Sequence, residues 1–200
     1  MTPTAEPDPS LRRAVALVAL LNLGYFGVEF AVALVIGSVS LFADSIDFLE
    51  DTAINFLIFA ALRWSPARRA RVGMVLAAIL LVPALATLWA IVGKLSNFVP
   101  PAPAPLALAG LGAFAVNLAC ALLLARHRRG AGSLTRAAFL SARNDALANA
   151  AVVLAGLATA FLWPSAWPDL LVGAGIAALN ADAAREVFEA AREEHAAARS

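Results

Sequence analysis

Four acidic residues lie close together in the apolar stretch LFADSIDFLED at positions 41–51, namely Asp44, Asp47, Glu50 and Asp51. At about 100° per residue, Asp47 and Asp51 lie one turn apart on a helix, and Asp44 falls on the same side. Carboxylates grouped in this way can bind a cation, exchange protons or act as an acid and base pair. Which chemistry applies depends on whether this stretch lies in water or in a membrane.

A second set of polar side chains occurs late in the sequence. Ser141, Asp145 and Asn149 follow one another at four-residue spacing, so a helix would place them on one face. Asn22 and Glu29, seven residues apart in an apolar stretch near the start of the chain, would also share a helix face. The sequence therefore predicts three helices with polar stripes that could face a common interior.

The composition places these stripes in a membrane. Of the 200 residues, 62% are hydrophobic and 14% are charged, and the mean hydropathy is +0.80. A soluble domain usually has about 25% charged residues. The apolar runs are each long enough for a helix to cross about 30 Å of hydrocarbon. We predict an all-α membrane protein with six transmembrane helices, near residues 12–36, 39–62, 68–93, 103–126, 135–162 and 168–188.

The basic residues predict the orientation of these spans. All but two of the 15 Lys and Arg residues lie at one set of span ends, the exceptions being Lys94 and Arg143. Because cytoplasmic loops are enriched in Lys and Arg, both termini are expected to be cytoplasmic. The domain organisation is then a cytoplasmic tail over 1–11, a membrane domain over 12–188 and a short cytoplasmic tail over 189–200. We expect the last helix to continue into this second tail.

The acidic residues are predicted to lie deep in the bilayer. Asp51 stands twelve residues before Arg63, and Asp145 stands nine after Arg136. Both positions are roughly 14 to 18 Å from the cytoplasmic boundary at a rise of 1.5 Å per residue. A charged side chain facing lipid there is costly, so such residues face a bundle interior or a wet cavity. Asp47, Asp51 and Asp145 are therefore expected to meet near the middle of the membrane.

Three buried carboxylates in one cavity favour competition between protons and a metal. Neighbouring carboxylates disfavour each other's charged form, so an empty site would tend to hold protons. A divalent cation supplies two positive charges and accepts the oxygens as ligands. Such competition is the physical requirement of an exchanger, in which metal enters the site as protons leave it.

Three segments resemble the transmembrane domain of the cation diffusion facilitator family, which exports divalent metals in exchange for protons. They are GSVSLFADSIDFLEDTAINFL, SARNDALANAAVVLAGL and WPDLLVGAGIAAL. The resemblance implies six spans with cytoplasmic ends and a metal site between two ligand pairs. On this sequence the first pair falls on Asp47 and Asp51 and the second on Ser141 and Asp145, with Asn149 as a further candidate ligand. The expected function is proton-coupled efflux of a divalent metal by alternating access.

The sequence departs from the zinc-transporting members at the candidate site. These members commonly have His at the first position of one or both pairs, where this chain has Asp47 and Ser141. Oxygen ligands suit manganese or iron better than zinc, so the transported metal is expected among manganese, iron, cobalt and zinc, with a preference for the harder ions. Ser141 is a poor ligand, so either Asn144, Asn149 or water is expected to complete the shell, or the site is degenerate. No resident cofactor is expected, and the substrates are the metal ion and protons.

The resemblance also sets expectations for partners and location. Many members carry a cytoplasmic metal-binding domain that holds a dimer, and this sequence stops at Ser200. A homodimer, if formed, is expected to be held by the membrane helices. The Arg clusters at span ends are interpreted as topology signals and not as a nucleic-acid surface. The prevalence of Arg and Ala is typical of a GC-rich bacterial genome, which favours the inner membrane as the location.

Two other function classes stay open at this point. The chain could be a relative that no longer transports and acts as a membrane sensor or partner subunit, given Ser141 at a ligand position. An intramembrane enzyme is the other alternative, since Asp pairs also serve lipid phosphotransferases and aspartyl proteases. The phosphotransferase pattern D-x-x-D-G begins at Asp44 and Asp47, but Phe48 replaces the Gly. Neither enzyme motif is complete, so the protein is expected not to be an enzyme.

Overall fold

A computed structural model describes residues 9–61, 85–126 and 132–197, which form helices joined by short turns. Within these ranges no residue is in a β-strand. The helices are α1 (Pro9–Ile36), α2 (Val39–Ala61), α3 (described over Leu85–Ser96), α4 (Pro103–Ala125), α5 (Gly132–Phe161) and α6 (Trp167–Ala197). The described part of the protein is therefore all-helical, as predicted.

The turns fall where the sequence has helix-breaking residues. Gly37, between α1 and α2, has a φ of 62°, a left-handed conformation that glycine adopts without steric cost. Proline lies at the first turn of α4, where the missing backbone N–H costs nothing. The short turn between α5 and α6 contains Pro164. These turns allow successive helices to run antiparallel.

The helix bounds agree closely with five of the predicted spans. The predicted span at 68–93 falls mostly on residues 62–84, which lie outside the described residues, and Leu85–Ser96 is its described part. The helix α6 runs to Ala197 and so continues well past the predicted span end at 188. The prediction that the last helix extends into the tail is confirmed.

Three helical segments in the described part of the chain are long and apolar enough to cross a membrane. They are Pro9–Ile36, Pro103–Ala125 and Ala142–Phe161. Large apolar side chains on these helices face outward, as a lipid environment requires. Leu20, Leu108 and Leu154, for example, are each more than half exposed. The chain is thus built as a membrane protein.

The helix α2 lies at the centre of the described bundle. It packs against α1, α5 and α6 and touches α4, while α1 also packs on α4 and α4 packs closely on α5. Apolar side chains from α1, α2, α4, α5 and α6 bury one another on either side of the polar stripe of α2. The stripe is therefore enclosed by four other helices, which positions the acidic residues in the interior.

Candidate metal centre

The acidic residues of α2 point into the bundle. Asp44 and Asp51 are buried, whereas Asp47 and Glu50 are half-buried. The opposite face of the helix carries apolar side chains such as Leu49, which is exposed where a lipid environment would surround it. The alternation follows directly from the helical period, and it confirms the predicted polar stripe.

Asn22 of α1 holds the Asp51 carboxylate. Its Nδ2 donates a hydrogen bond to Asp51 Oδ2 at 3.3 Å. The Cys120 thiol of α4 donates to Asn22 Oδ1 at 3.5 Å, which orients the amide. Asn55 Nδ2 donates to the Asp51 backbone oxygen at 2.8 Å, so two amides fix this turn of α2. Asn22 therefore joins α1 to both α2 and α4.

Asp44 is linked to α5 and α4 by a chain of amides. Asn149 Nδ2 donates to both Asp44 oxygens, at 3.1 Å to Oδ1 and 3.2 Å to Oδ2. Asn117 Nδ2 donates in turn to Asn149 Oδ1 at 3.5 Å. All three side chains are almost fully buried. The structure therefore brings Asn149, a predicted ligand, to Asp44, one turn away from the pair Asp47 and Asp51.

Glu29 of α1 points towards Asp44. Its side chain is fully buried, and neither of its oxygens accepts a hydrogen bond from another group of the described residues. The Asp44 carboxyl group lies within hydrogen-bond reach, so the two carboxyl groups can share a proton. The charge that acts on it most strongly is that of Asp44, followed by that of Asp47. Sequence reasoning placed Glu29 on an interior face but gave it no ligand role, because only the packing of α1 on α2 shows which acid it meets.

Asp47 of α2 and Asp145 of α5 influence each other across the helix interface. Among the neighbouring charged groups, Asp145 has the largest electrostatic effect on the Asp47 carboxylate. Asp145 is half-buried and takes part in a further interaction of its own. The prediction that these two helices bring carboxylates together is consistent with this coupling.

The acids do not form a closed metal shell in this conformation. Among residues 9–61, 85–126 and 132–197, no three Asp, Glu, His or Cys side chains surround a point that could hold a metal ion. Ser141 lies in α5, but its side chain lies outside the described residues. Asn144 is exposed, and its Oδ1 accepts a hydrogen bond from Arg143 at 3.2 Å. A metal would therefore have to draw the carboxylates closer together.

Asp169 of α6 carries out a function that sequence reasoning missed. Its buried carboxylate accepts four hydrogen bonds at the start of α2, from the Ser38 and Ser40 hydroxyls at 2.6 Å each, from Val39 N at 2.8 Å and from Ser40 N at 3.1 Å. It thereby satisfies backbone N–H groups that a helix start leaves unpaired. The only available sequence signal was an acid directly after Pro168 at the start of an apolar helix.

Comparison with known proteins identifies the family of the chain. A search of curated proteins found no match to the chain. The family model described as the cation efflux transmembrane domain matches residues 15–194, which include all the helices that surround the acidic residues. The chain therefore belongs to the cation efflux family, a family of membrane cation transporters.

Proposed function

We propose that this protein exports a divalent metal cation in exchange for protons, by alternating access to a site in the middle of the membrane. The observation that carries the proposal is the inward-facing row of Asp44, Asp47 and Asp51 on α2, packed against the helix α5 that bears Asp145. Asn149 of α5 donates to both oxygens of Asp44, which joins the polar faces of the two helices. Several carboxylates in a bundle of lipid-facing helices are costly unless they bind cations or protons in the course of function.

In this proposal Asp47, Asp51 and Asp145 are the main ligands of the transported ion, with Ser141 and Asn149 completing its shell. To bind the metal through its amide oxygen, Asn149 would have to break its hydrogen bonds to Asp44. This ligand set contains oxygen donors alone, which favours manganese or iron over zinc. The metal ion is the substrate and not a resident cofactor.

The proposal also includes the topology predicted from the sequence. Six helices would cross the bilayer with both termini in the cytoplasm, and the bacterial inner membrane would be the location. The support is the distribution of Lys and Arg along the sequence together with the three apolar helices described above. A homodimer would form through the membrane helices.

Transport into proteoliposomes with an imposed pH gradient tests the function. Antiport requires that an acidic lumen drive metal uptake, because protons leaving the vesicle supply the driving force. We expect manganese or iron to accumulate under this gradient and to stop accumulating when an ionophore collapses it. If none of manganese, iron, cobalt, zinc and cadmium moves under either direction of the gradient, the proposed function is wrong.

The same assay separates the function from the ligand assignment. Asp51→Ala should abolish uptake, since the variant loses a central ligand. Asp182→Ala is the matched control, because Asp182 is an exposed acid of α6 and is not one of the acidic residues in the bundle interior. Parent-like uptake by Asp51→Ala would refute the ligand assignment while leaving transport itself established.

Binding should also depend on pH in a defined direction. Protonated carboxylates cannot bind the metal, so the affinity for Mn²⁺ should fall as the pH is lowered from 8 to 6. Isothermal titration calorimetry in buffers of different ionisation enthalpy would report both the affinity and the protons released. Binding that releases no protons and is equal at both pH values would contradict proton coupling.

A further inference from the structure

A second group of buried oxygen atoms lies beside the proposed ligands. We call it the Glu29 cluster, and it consists of Glu29 of α1, Asp44 of α2, Asn117 of α4 and Asn149 of α5. Asp44 lies seven residues before Asp51, which is about 10 Å along the helix at 1.5 Å per residue. The cluster therefore lies towards the end of the bundle where α1 turns into α2.

Within the described residues, three buried oxygen atoms of the Glu29 cluster accept no hydrogen bond. They are both carboxylate oxygens of Glu29 and the Oδ1 atom of Asn117. Buried acceptors of this kind are rare in folded proteins, because each one loses its hydrogen bonds to water without replacement. Three in one cluster indicate that a group which accepts their lone pairs occupies this place in part of the functional cycle.

The charge of the cluster indicates what that group is. Glu29 and Asp44 are both fully buried, and Asp44 is the acid that acts most strongly on Glu29. Among the described residues, the charges that act on Glu29 are those of Asp44 and Asp47. Two carboxyl groups this close in an apolar interior share a proton when the position is empty. One divalent cation that displaces the proton would match the combined charge of the two carboxylates.

The position of the cluster connects it to the central acids. The Asp47 carboxylate interacts electrostatically with both Glu29 and Asp145. Asn149 follows Asp145 by one turn of α5 and donates to both oxygens of Asp44. A cation leaving Asp47 towards the α1–α2 turn would next meet the oxygens of Glu29 and Asp44.

We propose that Glu29 and Asp44, together with the amide oxygen of Asn117, form a second binding position for the transported divalent cation. The ion would pass between this position and the central acids on its way across the membrane. This inference rests on the proposed function, since it assigns the second position to the same transport route. Oxygen donors alone would again select a hard divalent ion such as Mn²⁺.

The number of Mn²⁺ ions bound per chain tests the inference. Purified full-length protein in nanodiscs would be equilibrated with Mn²⁺, and bound and free ion would be separated and counted by electron paramagnetic resonance. We expect two ions per parent chain and one per chain for Glu29→Gln, which keeps the side-chain shape but removes the charge. Asp51→Asn should also bind one ion, at the Glu29 cluster.

Several outcomes would overturn the inference. A count of one ion per parent chain would overturn the inference by itself. This measurement does not depend on the folding of any variant. The inference would also be contradicted if the variants Glu29→Gln and Asp44→Asn each bound two ions per chain, as the parent does. Size-exclusion chromatography identifies a variant that does not fold, and the parent count then decides.

Failure of the inference can be distinguished from failure of the proposed function. If the parent binds one ion and transports it, the second position is wrong and the function stands. If the parent transports no metal in the proteoliposome assay, the function is wrong whatever the count. Glu29→Gln should lower the transport rate at least tenfold, whereas Asp182→Ala should leave it within twofold of the parent.

Discussion

At the level of single residues, the Asp51 carboxylate depends on its amide partner. Asn22 donates to Asp51 Oδ2 from a fully buried position in α1, and the Cys120 thiol donates to the other end of the same amide. A hydrogen bond of this kind fixes the side-chain rotamer of a ligand before the metal arrives. Groups that orient metal ligands in this way affect metal affinity although they do not touch the metal.

Replacing Asn22 should therefore weaken metal binding without removing a ligand. We predict that Asn22→Leu, which is similar in size and cannot donate, raises the KM for Mn²⁺ transport at least tenfold. Transport kinetics in proteoliposomes over a range of Mn²⁺ concentrations would measure it. Cys120→Ala keeps the bond from Asn22 to Asp51 and should change the KM by less than twofold. An unchanged KM in Asn22→Leu would show that Asp51 needs no positioning partner.

At the level of elements, α2 is held in place at its first turn by α6. The four hydrogen bonds to Asp169 join the start of α2 to the start of α6, and Gly173 allows the two backbones to approach closely. A Cβ atom at Gly173 would lie 2.9 Å from Ser40 N, which leaves no space for a side chain. The axial position of α2, and with it the depth of the acids, depends on this contact.

Removal of the Asp169 carboxylate should destabilise the bundle. Asp169→Ala leaves two backbone N–H groups and two hydroxyls without their acceptor, at a cost of about 3 kcal/mol. We predict a decrease in Tm of roughly 5 to 10 °C in detergent, measured by the thermal unfolding of purified protein. The exposed Asp182 of the same helix is the control, and Asp182→Ala should leave the Tm unchanged. A parent-like Tm for Asp169→Ala would contradict this account of the α2 start.

The helices α4 and α5 approach each other closely at a glycine. A Cβ atom at Gly156 would lie 3.0 Å from the backbone nitrogen of Ala107 and 3.1 Å from its Cβ. Because backbone atoms cannot rotate away, we predict that Gly156→Ala destabilises the protein by about 1 to 3 kcal/mol. Gly175→Ala is the control, since no atom lies within 4 Å of a Cβ atom there. The two variants should differ in thermal unfolding, and equal Tm values would refute the close packing at Gly156.

At the level of the whole molecule, the distribution of charges at the helix ends predicts the orientation in the membrane. Arg12 and Arg13 lie in the first turns of α1, whereas Lys94 lies at the opposite side of the predicted topology and donates to the Gly37 carbonyl at 2.6 Å. This bond connects α3 to the turn between α1 and α2. The end of the bundle with few cations is also the end nearest the Glu29 cluster.

Labelling of single cysteines should report this orientation. In a Cys120→Ala background, we predict that Ser96→Cys reacts with a membrane-impermeant maleimide in intact cells and that Ser10→Cys reacts after the membrane is opened. Both serines are exposed, so the thiols would be accessible from water. The reverse pattern would place both termini outside and overturn the predicted topology.

The sequence by itself determined where the helices lie and which of their faces are polar. Runs of apolar residues, breaks at Gly37 and near Pro103 and the spacing of Asp44, Asp47 and Asp51 are local properties, because one chain segment contains all the information needed. The helices α1, α2, α4 and α5 begin and end within a few residues of the predicted spans, and α6 begins close to its predicted start but continues into its tail.

Only the tertiary structure decided which polar groups meet. Asn149 was predicted to face the metal with Asp145, but in the fold it donates to Asp44, 105 positions away in sequence. Asp169 binds the start of α2 across 129 positions, and the Glu29 carboxyl group lies beside that of Asp44. Such pairings depend on the rotation and axial shift of one helix against another, and these are determined by the packing of side chains from several helices at once.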